Sequence, residues 1–365
     1  MFDRRLVAYF DWILLGITLL LCFIGLMTLY SAATAGTMQK TLYMKQMIWF
    51  CAGFILMVCS FLFNYRSLEG WSVVIYGACI LLLACVVIFG KHAGGSRRWL
   101  TFAGVSIQPS EMVKIALIIV LSKYYSKFSK EQGFAIRDLF KPFILVAIPF
   151  LLVASQPDLG TAMLLLLIAV SMTVFVKVEK RSLVYLASFF TITVPLVWFF
   201  LKDYQKERIL TFLNPDRDPL GSGYHIIQSK IAIGSGMISG KGFMQGTQNA
   251  FSFLPEQHTD FIFSVLAEEW GFLGSVFLLF MFLMLIVWGL KIANGCRDPF
   301  GTILAVGLTS MLFWEIFINV GMVTGLVPVV GVPLPFISYG GSSVVTKMVS
   351  IGILMNLSMR RFIVE

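Results

Sequence analysis

The sequence predicts an all-α, polytopic membrane protein with about ten transmembrane helices and one large extracytoplasmic loop between helices 7 and 8. Three observations lead there. Of the 365 residues, 58% are hydrophobic and only 13% charged, where soluble domains average about 25% charged. Water does not solvate such a chain as a compact body. The apolar residues fall in blocks near the roughly 20 residues that a helix needs to cross a bilayer core of about 30 Å. One connection, residues 202–259, is far longer than ordinary helix connections.

In chain order the apolar blocks are 11–33, 46–63, 72–89, 111–124, 142–155, 159–175, 184–201, 261–290, 302–326 and 343–359. The first is too long for the core of a cleavable signal, so it is expected to stay as a span. Arg4 and Arg5 mark the cytoplasmic side. Alternation then places Arg66, Lys123, Lys127, Lys130, Arg137, Lys141, Lys177, Lys180, Arg181, Lys291, Arg297, Arg360 and Arg361 on that side. The short outer loops hold only Lys40, Lys45, Lys91, Arg97 and Arg98. Both termini are therefore expected in the cytoplasm, and the formal net charge of +9 reflects topology rather than a nucleic-acid partner. In the long outer connection, "NPDRDPLGSGYH" reads as turns and "IIQSKIAIGSGM" as a short amphipathic segment on the membrane surface. No internal repeat is visible, and residues 1–365 are expected to form a single membrane domain.

Ionisable groups inside apolar spans are costly, about 2.5 to 3.5 kcal/mol each at mid-bilayer, and so face cavities or partners. Here they are Glu111, Lys114, Asp158, Asp260, Glu268, Glu269, Glu315 and Lys347, most of them at the outer ends of spans. That shared depth points to one outward-facing polar cavity. Glu111 and Lys114 share a helix face at i, i+3; Glu111 also suits a helix N-terminus. Lys114 either pairs with Glu111 or meets an anion. Asp158 in "SQPDLGTA" suits a helix cap. Asp260 opens the eighth span after the polar "PEQHTD", with no cation near it in sequence. It is either a helix-start acid or a carboxylate at a cavity rim, where partial desolvation makes such a group a usable general base. Glu268, about 12 Å deeper along the helix, suits support or a polar channel. "VPVVGVPLPFISYGGSS" (327–343) cannot continue a helix and needs protein or a wet cavity around it. Its glycine-rich end serves either as a phosphate cradle or as a packing turn.

Other signals point nowhere. "GSGMISGKGF" has serine and glycine where a phosphate loop needs glycine and Ser or Thr. The 6 cysteines and the 3 histidines lack metal-ligand spacing. His258 is either an orienting partner of Asp260 or an ordinary polar loop residue.

Five stretches, "GGSRRWLTFAGVSIQPSEMVKIAL", "SQPDLGTAM", "RILTFLNPDRDPLGSGYHIIQSKIAIGSG", "GKGFMQGTQNAFSFLPEQHTDFIFSVLAEEWG" and "GVPLPFISYGGSS", resemble in order and spacing the signatures of the SEDS family (shape, elongation, division and sporulation). "GKGFMQGTQ" followed by "LPEQHTDFIF" is more similar to its rod-elongation branch than to its division branch, in which alanine usually stands where this chain has Gln257. The resemblance implies a ten-span peptidoglycan glycosyltransferase in the bacterial plasma membrane that polymerises lipid II on the outer face during cell elongation. It implies Asp260 as the catalytic acid/base, with Trp99, Arg98, Glu111 and Lys114 as substrate-binding or supporting residues. Asp158, Glu256 and Ser343 lie in motif stretches with less defined roles, and Lys347 stands where a neutral residue is expected.

The mechanism that follows is inverting. Asp260 takes the proton of the acceptor sugar's 4-hydroxyl, and Arg98 and Lys114 stabilise the departing pyrophosphate, with room for a divalent cation (magnesium or manganese) but no certain cofactor. Implied partners are lipid II and the nascent glycan strand, membrane lipid and a class B penicillin-binding protein; nucleic acid is not among them. The rival readings are a flippase or transporter for the same lipid and a non-enzymatic scaffold of the wall-synthesis complex.

Overall fold

The computed structural model describes residues 9–34, 39–93, 96–102, 105–127, 133–201, 203–218, 221–250 and 257–360. Its long helices are α1 (Trp12–Thr34), α2 (Gln39–Leu62), α3 (Tyr65–Phe89), α4 (Pro109–Lys127), α5 (Phe140–Ser155), α6 (Leu159–Phe175) and α7 (Lys180–Phe200). After a long connection that itself carries α8 (Asp203–Leu213), α9 (Ser222–Ser235) and the short α10 (Thr247–Ala250), the bundle ends with α11 (Ile262–Gly295), α12 (Pro299–Thr324) and α13 (Gly341–Arg360). All ten expected spans are helical. Several begin earlier than their apolar blocks: α2 at residue 39 and α3 at residue 65. Lys40, Lys45, Arg66 and Glu69 are good helix formers that extend the helix past the greasy window.

Local chemistry sets the ends. Asn64, Asp158 and Asp298 cap α3, α6 and α12 through side-chain oxygens that accept from Arg66 N, Thr161 N and Gly301 N. Pro299 occupies the first turn of α12, and Gly325, at φ +76°, closes it in the left-handed conformation. Packing then sorts the helices. In α12 and α13, 67% and 83% of the spanning window is buried, against 22% in α2 and 28% in α3. The last two helices therefore form the centre, and α2, α3, α5 and α7 turn apolar residues such as Ile55, Val74, Leu151 and Phe199 outward, as a lipid-facing shell must.

Two features lay outside the helical reading. Between α3 and α4 a small antiparallel sheet forms, β1 (Lys91–Ala93), β2 (Ser96–Phe102) and β3 (Val105–Ile107), in the order β1-β2-β3. The expected surface segment at 226–237 proves to be largely the inward-packed helix α9. Ile226, Ser229 and Ala232 are buried against α11 and α12, and Ser229 Oγ donates to Val323 O at 2.6 Å. That face packs on protein, while Lys230 and Ile231 on the other face are exposed.

Helix α11 is broken. Gly271 has φ 66° and ψ −160°, outside the helical region. The groups orphaned by the break are satisfied by residues 237–242: Lys241 N and Gly242 N donate to Glu268 O and Glu269 O, while Phe272 N and Leu273 N donate to Met237 O and Ile238 O. The stretch that imitates a phosphate loop is thus a plug for a discontinuous membrane helix. A Cβ on Gly240 would lie 2.1 Å from Glu269 O, so glycine is required for that approach.

Candidate active site

Four buried charges form a closed square. Lys114 Nζ lies 2.8 Å from Glu111 Oε1 and 2.5 Å from Glu315 Oε1; Lys347 Nζ lies 2.7 Å from Glu111 Oε2 and 3.0 Å from Glu315 Oε1. Each lysine touches both carboxylates, and each of the four side chains is at most 4% exposed. Two acids and two bases cancel, which is how charges are tolerated at this depth. Lys114 therefore takes the pairing alternative. Two carboxylates surround its ammonium. Lys347, to which the sequence assigned nothing, is an equal member of the square, and it also donates to Ser343 Oγ at 3.2 Å. Beside it, Gln108 N donates to Ser342 Oγ at 3.0 Å, tying the start of α4 to the start of α13.

One helical turn from Glu315, on the same face of α12, Asn319 Nδ2 donates to Asp260 O at 3.0 Å and to Val332 O at 2.7 Å. It joins the segment carrying Asp260 to the irregular segment 326–340. More bonds seal the same joint: Ser338 Oγ to Thr259 O at 2.6 Å, Tyr339 N to His258 O at 2.9 Å and Gly340 N to Gln46 Oε1 at 3.2 Å. The amides of residues 337–340 are thus engaged within the protein, so at these positions the glycine-rich stretch is a packing turn rather than a phosphate cradle. Asn319 was missed in the sequence, although an amide in the middle of "EIFINVG" is the signal that would have found it. Asn319→Leu is expected to remove a donor from Asp260 O and from the buried Val332 O and to cost about 1–3 kcal/mol, read as a lowered thermal unfolding temperature in detergent.

Asp260 itself is half-buried. Its Oδ2 lies 3.3 Å from where a Cβ on Gly331 would stand, and Gly331 has φ +74°, so glycine there leaves the carboxylate room. The neighbouring Val330 O would be 2.4 Å from a Cβ on Gly160, at the N-terminus of α6. That terminus is capped by Asp158, which is 1% exposed and accepts from Thr161 N at 3.3 Å and Thr161 Oγ1 at 3.0 Å. The cap reading of Asp158 accounts for these contacts. Arg98, from β2, donates to Pro157 O at 2.7 Å and stands 3.7 Å from Asp158 Oδ1. Trp99 is half-buried on the same strand, paired with Lys91. Arg98, Asp158, the 329–332 backbone and Asp260 are therefore contiguous; Glu111 and Lys114 belong to the square, and Ser343 accepts from its Lys347. Glu256 lies outside the described residues.

The deeper acids have structural partners. Glu268 Oε1 accepts from Lys241 Nζ at 2.6 Å, Thr247 Oγ1 at 3.1 Å and Gln248 N at 3.1 Å, and Glu269 pairs with Ser31 Oγ. Glu268 pins the plug to the broken helix, and Glu269 ties that helix to α1. Among the described residues no three His, Cys, Asp or Glu side chains gather to hold a metal ion.

Comparison with known proteins fits this geometry. The family model FTSW_RODA_SPOVE, described as a cell cycle protein, matches residues 11–362. The peptidoglycan glycosyltransferase MrdB of Escherichia coli (strain K12) is 44% identical over 319 residues, covering 85% of this chain and 83% of the relative. Stage V sporulation protein E of Bacillus subtilis (strain 168) is 38% identical over 362 residues, covering 95% of this chain and 96% of the relative. Among solved structures, a chain of a peptidoglycan synthase complex, described as coordinating polymerization and crosslinking, superposes with a TM-score of 0.83 at 30% identity, over 97% of this chain and 98% of that one. Thermus thermophilus rod shape determining protein RodA superposes at 0.72 with 26% identity over the same shares. The ordered signatures, the ten-helix bundle and a family match spanning nearly every residue place this chain in the FtsW/RodA/SpoVE family, the SEDS proteins.

Proposed function

We propose that this protein is an inverting peptidoglycan glycosyltransferase that polymerises lipid II during cell elongation, with Asp260 as general base. The observation that carries the reading is a half-buried carboxylate held by its backbone at the bundle end where the irregular segment 326–340, Arg98 of β2 and α9 converge. Lipid II keeps its sugars in water and its polyprenyl tail in the bilayer, so its polymerase needs reacting groups at a membrane-embedded rim. In the step, the acceptor's 4-oxygen forms a bond to the donor's anomeric carbon as the bond from that carbon to the pyrophosphate oxygen breaks. The electron pair leaves with the polyprenyl pyrophosphate, and the hydroxyl proton passes to Asp260. Attack opposite the leaving group inverts the centre. Arg98 supplies positive charge near the leaving group. The square Glu111, Lys114, Glu315 and Lys347 acts from below, fixing α4, α12 and α13 so that Asn319 and the 338–340 turn hold Asp260 in place.

The site end of the bundle faces away from the cytoplasm in this reading, both termini lie in the cytoplasm of a bacterial inner membrane, and a class B penicillin-binding protein crosslinks the product. The identity to MrdB and the likeness to a synthase complex support both the activity and the partnership. Purified full-length protein with its transpeptidase partner, given lipid II, should make glycan chains; a flippase makes none, and a scaffold is indifferent to Asp260→Asn. A second variant tests the seating of the rim. Gly160→Val puts a Cβ 2.4 Å from Val330 O, so that backbone must move, and a displacement near 1 Å costs about 100-fold in rate. Polymerisation should fall with membrane levels unchanged.

A further inference from the structure

Lys114 is enclosed by two carboxylates, and other cations stand near the backbone beside Asp260. The backbone from Val329 to Gly331 spans at most about 7 Å and is approached by three groups. Gly331 lies against Asp260, and Val330 lies against Gly160, whose helix start carries Arg98. Val329 O accepts from Arg208 Nη1 at 3.4 Å. Arg208 belongs to α8 in the long connection, on a face shared with the buried Gln205 and Thr211 at i−3 and i+3, so its guanidinium points into the protein and is only half-exposed. Among the described residues that long carbonyl contact is its one hydrogen bond, and it has no carboxylate within ion-pair distance. A partly desolvated guanidinium with five donors and no counter-ion is built for an anion. Arg98 is similar: its Nε is buried without a partner, and its nearest carboxylate, 3.7 Å away, is committed to a helix cap.

We infer that Arg208 binds the pyrophosphate of the lipid-linked donor, forming with Arg98 a two-arginine clamp across residues 329–331 beside Asp260. The inference rests on the glycosyltransferase reading and makes the long connection part of the donor site. Two planar forks engage a pyrophosphate better than a monophosphate, because its extra oxygens give each fork its own bidentate partner. The assignment also explains why α8 is anchored to the irregular segment rather than left in solvent.

The test is binding, apart from turnover. Full-length protein in detergent is titrated with a polyprenyl pyrophosphate, the matching polyprenyl monophosphate and the uncharged polyprenol, read by quenching of intrinsic tryptophan fluorescence. Wild type is expected to prefer the pyrophosphate. R208A and R208Q are expected to weaken it by about 10- to 100-fold with less effect on the monophosphate, and R208K to recover only part. Unchanged pyrophosphate binding in R208A or R208Q overturns the inference. So does equal weakening for all three lipids, which makes Arg208 a packing residue of the connection; R208Q, which keeps most of the side-chain length, guards against a folding defect specific to alanine. D260N separates the two proposals. It should bind pyrophosphate as wild type does, and if it still polymerised, the general-base reading would fail while the binding result stood.

Discussion

Asp260→Asn is expected to lower lipid II polymerisation by about 100- to 10,000-fold, the usual contribution of a positioned general base, while thermal stability and membrane level stay at wild-type values. The separation follows from how the residue is held. Every fixing bond described around it uses main chain: Asn319 to Asp260 O, Ser338 to Thr259 O and Tyr339 N to His258 O. Replacing one side-chain oxygen by an amide leaves those bonds in place and removes the capacity to take a proton. Asp260→Glu is the finer probe. It keeps the carboxylate and advances it by one methylene toward Gly331, where a Cβ would already lie 3.3 Å from Oδ2, so turnover should fall to a level between wild type and Asn. Chain formation from lipid II, resolved by gel in the presence of the transpeptidase partner, checks both. Wild-type rates in Asp260→Asn would remove the residue from the chemistry.

The spans were legible because bilayer thickness and hydropathy fix them almost without reference to tertiary structure. The cap role of Asp158 and the i, i+3 pairing of Glu111 with Lys114 were legible too, since both are local. What was not legible is long-range. Glu315 and Lys347 stand 201 and 236 residues from their partners in the square, and nothing in "FWEIFIN" or "VVTKMVS" says that the two helices meet at those turns. The break in α11 has one local sign, Gly271, but a lone glycine in an apolar run usually means only close packing. Its meaning comes from residues 237–242, which supply the missing hydrogen bonds. The second carboxylate at Lys114 was hidden for a related reason: a buried cation in a sequence shows its need for negative partners, and the approach of Glu315 is tertiary information.

Because the square is closed and neutral, it should respond to charge count more than to any one contact. Lys347→Met leaves Glu111 and Glu315 sharing Lys114 alone, a net −1 in a site at most 4% exposed. Breaking a buried pair from one side costs about 3–5 kcal/mol, so this variant should unfold well below wild type in detergent and lose polymerisation with it. Glu315→Gln leaves a net +1 and should be harmful in the same way. The double variant Glu315→Gln with Lys347→Met restores neutrality and keeps the 2.8 Å pair of Glu111 with Lys114. Replacing a complete buried ion pair by uncharged groups is often neutral, so the double variant is expected to melt near wild type, and the coupling between the two substitutions should reach several kcal/mol, far above the additivity of independent sites. Activity discriminates further. If the square only holds α4, α12 and α13 together, the double variant should polymerise lipid II at close to the wild-type rate; if Lys347 itself meets substrate, stability returns and turnover does not. Recovery of both assigns the added pair to the scaffold that seats Asn319 and, through it, Asp260.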